Sequence, residues 1–233
     1  MSKLKHLENP EEVEYIEELT DEEREIIKNH ELISISNIDV RSTPIYDIND
    51  IDLDKIRLSK PIDFKSKVNV YLLYPITENK YSRFLFETPF SYCGYGLDSK
   101  KNKYNKDDTY WLKVEYINHT NIANDDFKTY DFFQYIAKYL NIKLKLIYDS
   151  TLKHMIFLRY SKYKGYPLTR FMFNYRKHFV TECLDNTGRR ITPYEIPNKV
   201  NIKFLLDPLE IWSNDALYGG TWRIKKLMVN AKV

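Results

Sequence analysis

The sequence predicts a mainly β chain with one helix inserted among the strands, preceded by an acidic α-helical arm. Three observations predict it. Tyr (20) and Phe (12) abound while Gly (6) and Ala (Ala123, Ala137, Ala216 and Ala231 only) are scarce, a balance that favours strands over helices. Beyond residue 58 the apolar residues recur mostly at a period of two, with one stretch at helical spacing. The charge also changes sign along the chain. Residues 1–57 hold seven Lys/Arg and sixteen Asp/Glu, a net −9, and the remainder a net +12.

The elements follow in order. Residues 10–29 predict an acidic amphipathic helix, with Val13, Ile16, Leu19, Ile26 and Ile27 near helical spacing and Pro10, Glu11 and Glu12 suited to its start. Thr20 with Glu23 three residues on is a capping signature, so two short helices fit equally. Residues 36–57, rich in Asn, Asp and Ser, read as loop or linker. This places an arm over 1–57 and a domain over 58–233. Strands are expected at Val68–Tyr74, Arg83–Thr88 and Tyr110–Ile117, with a turn at Tyr92–Gly96 and a polar loop at Asp98–Asp108. Phe127, Tyr130, Phe133, Ile136, Ala137 and Leu140 mark one buried face of a helix over Asp126–Leu140. Strands follow at 154–160 and 169–180. The turn Asp185–Gly188 folds Thr181–Leu184 onto Arg190–Thr192. Strands at Lys199–Leu206 and Gly220–Val229 close the chain, separated by Asp207–Trp212 and a Ser213–Gly219 turn.

Several chemistries find no support. With 233 residues and 43% hydrophobic content the chain can bury a core, which excludes general disorder. No apolar run reaches the roughly 18 residues of a membrane span, and Met1–Pro10 lacks the apolar stretch of a secretory signal. Cys93 and Cys183 exclude a disulfide framework and a four-cysteine zinc site, and suit a reducing compartment. Cys183 reads as a buried inert thiol. Gly94-Tyr95-Gly96 is not a phosphate loop, and His6, His30, His119, His154 and His178 are isolated in sequence. Asp107-Asp108 lies in a Lys/Asn-rich loop, and Asp125-Asp126 suits a helix start. No catalytic residue, cofactor or metal is therefore expected.

The remaining signal is for binding. All but Tyr15 and Tyr46 of the 35 aromatics lie in the basic segment. Cations neutralise phosphates and aromatic faces stack on bases, which is what a single strand of nucleic acid requires. In 169–180, Phe171, Phe173, Tyr175, Lys177 and Phe179 share one face, and Arg170, Met172, Asn174, Arg176 and His178 the other. If the aromatic face is core, the basic face is open to phosphate; the alternative is an ordinary charged surface. In the final strand Trp222 and Ile224 are expected inward, and Arg223 and Lys225 outward. Trp111 and Trp212 are expected in the core, and Tyr218, beside Gly219-Gly220, exposed at a turn.

The order of segments carries a resemblance. Phe84–Pro89 leads into Cys93-Gly94-Tyr95-Gly96-Leu97, a Trp111–Ile117 strand and the Phe127–Leu140 helix, and the chain ends in Ile211-Trp212-Ser213-Asn214, Tyr218-Gly219 and Trp222-Arg223-Ile224. Over roughly residues 58–229 this resembles the single-stranded-DNA-binding proteins of large nucleocytoplasmic DNA viruses (giant viruses), which are similar to phage OB-fold replication proteins. The resemblance implies an OB-like β-barrel with an inserted helix. It also implies a non-catalytic viral protein of DNA replication or recombination that binds single-stranded DNA, with RNA not distinguished from it. Arg170, Arg176, Lys177, Arg223, Lys225 and Lys226 would contact phosphates, and Tyr175 and Tyr218 would stack on bases. The acidic arm 1–57 would occupy the basic groove or recruit a replication partner. A homo-oligomer, and a place in the viral factory of the host cytoplasm, the nucleus or the virion, fit the same reading. The alternatives are a virion structural or assembly protein and, less supported, a nucleic-acid-processing enzyme, which would need a metal-binding carboxylate cluster.

Overall fold

The structure is a computed structural model that describes residues 32–64, 67–100, 109–116, 124–147, 153–154, 159–160, 167–175, 178–213 and 217–230. By its contacts the chain divides between Glu31 and Leu32. All the described residues belong to the second unit, Leu32–Val233. The expected helix over 10–29 lies outside the described residues.

The segment expected as linker is part of the body. Short strands β1 (Ile38–Asp39) and β2 (Ile45–Asp47) alternate with 3-10 turns at Ile35–Asn37, Ile48–Asp50 and Leu53–Lys55. Ile48, Ile51 and Ile56 are buried in the main core. The Asn/Asp-rich composition there reflects turn capping, as Asp47 and Asp52 each accept the backbone N–H two residues on. The chain then runs through β3 (Arg57–Leu58), β4 (Ile62–Phe64), β5 (Lys67–Thr77), β6 (Lys80–Ser82) and β7 (Leu85–Glu87).

The Tyr92–Gly96 segment is not a turn. It is nearly continuous strand, β8 (Ser91–Cys93) and β9 (Tyr95–Lys100), passing through Gly94. Its glycines serve close approach instead: a Cβ on Gly94 would stand 2.6 Å from the Glu115 carboxylate, and one on Gly96 2.8 Å from the Asn198 amide oxygen. β10 (Thr109–Glu115) follows, then helix α1 (Asn124–Ile147), nine residues longer than the sequence predicts. Its described buried face includes Phe132, Phe133, Ile136, Tyr139 and Leu140.

Of the 154–160 stretch, β11 (Lys153–His154) and β12 (Arg159–Tyr160) are described. The 169–180 strand ends early. β13 (Pro167–Phe173) stops, and the chain doubles back. Tyr175 then bridges Phe179, and the Val180 N–H donates to the Asn174 carbonyl at 3.0 Å. The expected hairpin forms from β14 (Glu182–Leu184), with Leu184 bridged to Arg190. Gly188 takes the left-handed φ of 81° and Asp185 accepts from the Thr187 and Arg189 N–H groups. Finally β15 (Val200–Ser213) and β16 (Leu217–Asn230) form one long hairpin. Asp207–Trp212, expected as a break, stays in β15; Pro208 is absorbed by an irregularity between Asp207 and Glu210.

The ladders close a barrel. β9 pairs β10 antiparallel, β10 pairs β13 antiparallel, and β13 pairs β16 parallel. β16 pairs β15 antiparallel, and β15 returns to β8, which continues into β9. A five-stranded circuit of this kind is OB-like, with β8–β9, β10, β13, β15 and β16 as its first to fifth strands in chain order. The helix is inserted between the second and third. β7 and β5 extend the sheet along β15, and β14 and β11 along β16. Inside, Phe86 packs on Phe132 at 4.9 Å, and Phe133 meets Trp222 at 4.9 Å and Phe171 at 5.4 Å. The helix thus packs its aromatic face into the barrel core, where each fully buried Phe contributes about 1.5–3 kcal/mol.

Candidate nucleic-acid interface

The two strands at the middle of the barrel wall, β10 and β13, each sort their side chains by period two. Tyr110, Leu112 and Val114 point inward with Phe171 and Phe173, all buried. The other phase is left for the outer face: Trp111 and Lys113 on β10, Arg170 and Met172 on β13. Trp111 is opposite Met172, and Lys113 opposite Arg170. Trp111 therefore departs from the expected core position. Its phase also carries Lys113 and Glu115, against the uniformly apolar phase of Tyr110, Leu112 and Val114, and that is the signal that could have placed it outside.

The face widens on both sides. On β9, Tyr95 lies opposite Lys113 and Asp98 opposite Trp111; Tyr95 is 46% exposed. On β16, Arg223 lies opposite Met172 and is exposed. From β9 to β16 this is four strands, three spacings of roughly 4.8 Å.

The rings on this face are held in place. The Arg170 guanidinium sits 5.3 Å from the Trp111 ring centroid and the Lys113 ammonium 5.6 Å from that of Tyr95. The Trp111 indole N–H donates to Asp98 Oδ2 at 3.1 Å, and Lys113 pairs with the same oxygen. Burial opposes ionisation of Asp98. The Lys113 hydrogen bond and charge, with the Ser99 and Trp111 N–H donors, outweigh it and hold the carboxyl below its usual range. One carboxylate thus orients an indole and an ammonium, on a face that also carries Arg170 and Arg223.

The remaining expected contacts divide. Lys225 is committed elsewhere: it pairs with Asp207 at 3.0 Å, and Asp207 also accepts from Arg83 at 2.8 Å. Lys226 pairs with Glu182 at 3.0 Å, together with Arg190 at 3.3 Å. Glu182 is the direct β14 partner of Lys226, and Lys225 sits at the register shift of the β15–β16 ladder. Tyr175 is partly buried on the core side of β13, with Tyr110 at 4.9 Å and Phe179 at 5.0 Å. The core has engaged the ring expected to stack on bases. Tyr218 lies within β16, opposite Ser213, and not at the turn; its ring, like Arg176 and Lys177, is outside what the structure describes. The residues that sequence reasoning missed are Tyr95, Asp98, Trp111 and Lys113.

Elsewhere, both thiols are buried. Burial, helped by Glu115, raises that of Cys93; burial, helped by Glu182, pushes that of Cys183 up to about 12. Neither suits a nucleophile. No helix among the described residues is long and apolar enough to cross a membrane.

No family model matches the chain, and no curated protein sequence matches it. Among solved structures it is similar to gp2.5, a single-stranded DNA binding protein encoded by bacteriophage T7, with 9% identity, 63% of this chain and 86% of that one covered, and a TM-score of 0.41. It is also similar to the single-stranded DNA-binding protein from bacteriophage Enc34 in complex with ssDNA, with 9% identity, 75% and 96% covered, and a TM-score of 0.42. The C-terminal truncation of the Enc34 protein gives 10% identity, 75% and 95% covered, and a TM-score of 0.42. The barrel itself rests on the strand ladders.

Proposed function

We propose that this chain is a single-stranded-DNA-binding protein that lays its ligand across the outer face of β9, β10, β13 and β16. The observation that carries the reading is the row of anchored rings and cations, Tyr95, Trp111, Lys113, Arg170 and Arg223, on one continuous face. In OB-type barrels the face of the second and third strands takes oligonucleotides, and here those strands are β10 and β13. Flat rings accept bases of any sequence, and the cations meet phosphates. The reading requires no catalytic group. A role in viral DNA replication or recombination, the giant-virus resemblance and a place in the viral factory extend the same proposal. The acidic arm supplies its regulatory part. Residues 1–31 alone carry four Lys/Arg against eleven Asp/Glu, a polyanion suited to competing with DNA or recruiting a basic partner.

The test is fluorescence anisotropy of the full chain with labelled oligothymidine and with duplex DNA across a salt series. Tighter binding to the single strand, lost steeply with salt, is the expected result. Equal or absent binding at low salt overturns it.

A second reading, an assembly protein, is favoured by one specific feature. Ile35, Val40 and Ile45 are exposed, Val40 by 83%, and Ile35 and Val40 rim a cleft beside the edge strand β1. Sedimentation separates the readings: assembly without DNA affinity would favour this one.

A further inference from the structure

Beside β9, and against Tyr110 of β10, a second aromatic feature lies outside the β9–β16 face. Tyr194 is 66% exposed, yet every part of it is fixed. It sits in the Pro193–Glu195 turn, closed by a capping box in which the Thr192 N–H donates to Glu195 Oε2 at 2.6 Å and the Thr192 hydroxyl to the same oxygen at 2.8 Å. Its ring makes T-shaped contacts with Phe179 at 5.4 Å and 77°, and with Tyr110 at 6.2 Å and 89°. Its hydroxyl donates to that of Tyr110 at 3.3 Å. A ring anchored by two aromatic contacts and its hydroxyl, with most of the residue in solvent, is a preorganised stacking platform.

Beside it is a polar cleft of about 390 Å³, lined by Gly96, Ser99, Tyr110, Tyr194, Ile196 and Asn198 among others. The Gly96 N–H, which the β9–β10 ladder does not use, donates to Asn198 Oδ1 at 2.6 Å. That bond orients the amide, so that Asn198 has its Nδ2 hydrogens to offer. The absence of a Cβ at Gly96 makes the approach possible.

We infer that this cleft is a nucleobase subsite, in which one base of the bound strand stacks on Tyr194 and presents a carbonyl oxygen to the Asn198 amide N–H. The inference rests on the single-strand-binding reading of the outer face and extends it from sequence-tolerant contact to base preference. A donor at this position is met by a carbonyl of thymine, guanine or cytosine, whereas adenine has no carbonyl and offers only ring nitrogens beside an amine that donates. The cleft adjoins the outer face along β9, where Gly96 in its lining directly follows Tyr95.

The experiment measures affinities of the full chain for oligothymidine and oligoadenosine of equal length, with wild type, Tyr194→Ala, Tyr194→Phe, Asn198→Asp and Trp111→Ala. Expected are about a tenfold loss for Tyr194→Ala, the scale of one base–aromatic stack, and near-wild-type binding for Tyr194→Phe. Asn198→Asp keeps the acceptor for Gly96 and removes the amide donor. Whatever its added charge does to both affinities, it should erase their thymidine-to-adenosine ratio. Unchanged binding by Tyr194→Ala while Trp111→Ala weakens it overturns the subsite and leaves the outer face standing. A wild-type ratio of one, or a ratio unaffected by Asn198→Asp, overturns the base preference. A wild-type chain that binds neither oligomer overturns the interface and the subsite together.

Discussion

The outer face of β9–β10–β13 and the cleft beside β1 are built from the same parts. Each has an aspartate shared between two partners and a cation over an aromatic ring. On the face, Asp98 joins Lys113 and Trp111, with Arg170 over Trp111. In the cleft, about 520 Å³ in volume, Asp207 joins Arg83 and Lys225, with Arg83 5.2 Å from the Tyr71 centroid. The surroundings differ. The cleft group is bordered by Ile35, Ile38 and Val40 from the N-terminal segment, and both its cations are committed to one largely buried carboxylate. On the face the aspartate fixes a ring that belongs to an open sheet. Such a cluster is therefore not itself a binding signature: what lies over it decides whether it ties segments together or leaves its ring on an open sheet.

The largest test of this contrast is truncation. Removing residues 1–57 deletes Ile48, Ile51 and Ile56 from the core, at about 1.5–3 kcal/mol each, and should leave an unfolded chain by circular dichroism. Removing 1–31 should leave the barrel folded and raise affinity for single-stranded DNA; unchanged affinity at low salt would reject a competing role for the arm.

Substitutions sharpen the contrast at smaller scale. Trp111→Ala should lower DNA affinity by about 1–3 kcal/mol with little change in melting temperature. Asp207→Ala should behave oppositely, lowering stability by about 1–3 kcal/mol through loss of the carboxylate that holds Arg83 and Lys225, with DNA affinity near wild type. If both variants lose affinity alike, the two regions do not differ as described.

The smallest effect is on pH. Because the folded state lowers the pKa of Asp98, its contribution to stability is present above the unfolded carboxylate value of about 3.9 and lost as pH falls through the folded one. Thermal stability should therefore carry no Asp98 contribution to its pH dependence between about pH 5 and 8. Below about pH 4 the slope should be shallower in Asp98→Asn than in wild type. Identical acid profiles would show that Asp98 is not held as the structure has it.

Much of the fold was legible in the residues. The period-two runs located β5, β10 and β16, the helical spacing located α1, and Asp185–Gly188 located the hairpin turn, since each is a local pattern. The candidate site was legible only in part. Arg170 and Arg223 fall on the outer face as expected. Tyr175 does not: it shares the inward phase of Phe171 and Phe173, and its ring lies against Tyr110 and Phe179. Trp111 was misplaced because size favours burial on average, whereas its phase beside Lys113 decided the matter here.

By itself, then, the sequence determined that the chain is mainly β with an inserted helix, and that its basic and aromatic residues are concentrated beyond residue 57. Local spacing is enough for that, because periods of two and 3.6 are properties of single elements. Only the tertiary structure decided that β8 and β9 bridge β15 and β10 to close a barrel, and that residues 32–57 belong to its body. Those outcomes depend on pairings between segments as far apart as Cys93 and Val200. Period-two patterning leaves a strand's partner open until the neighbouring strands are in place.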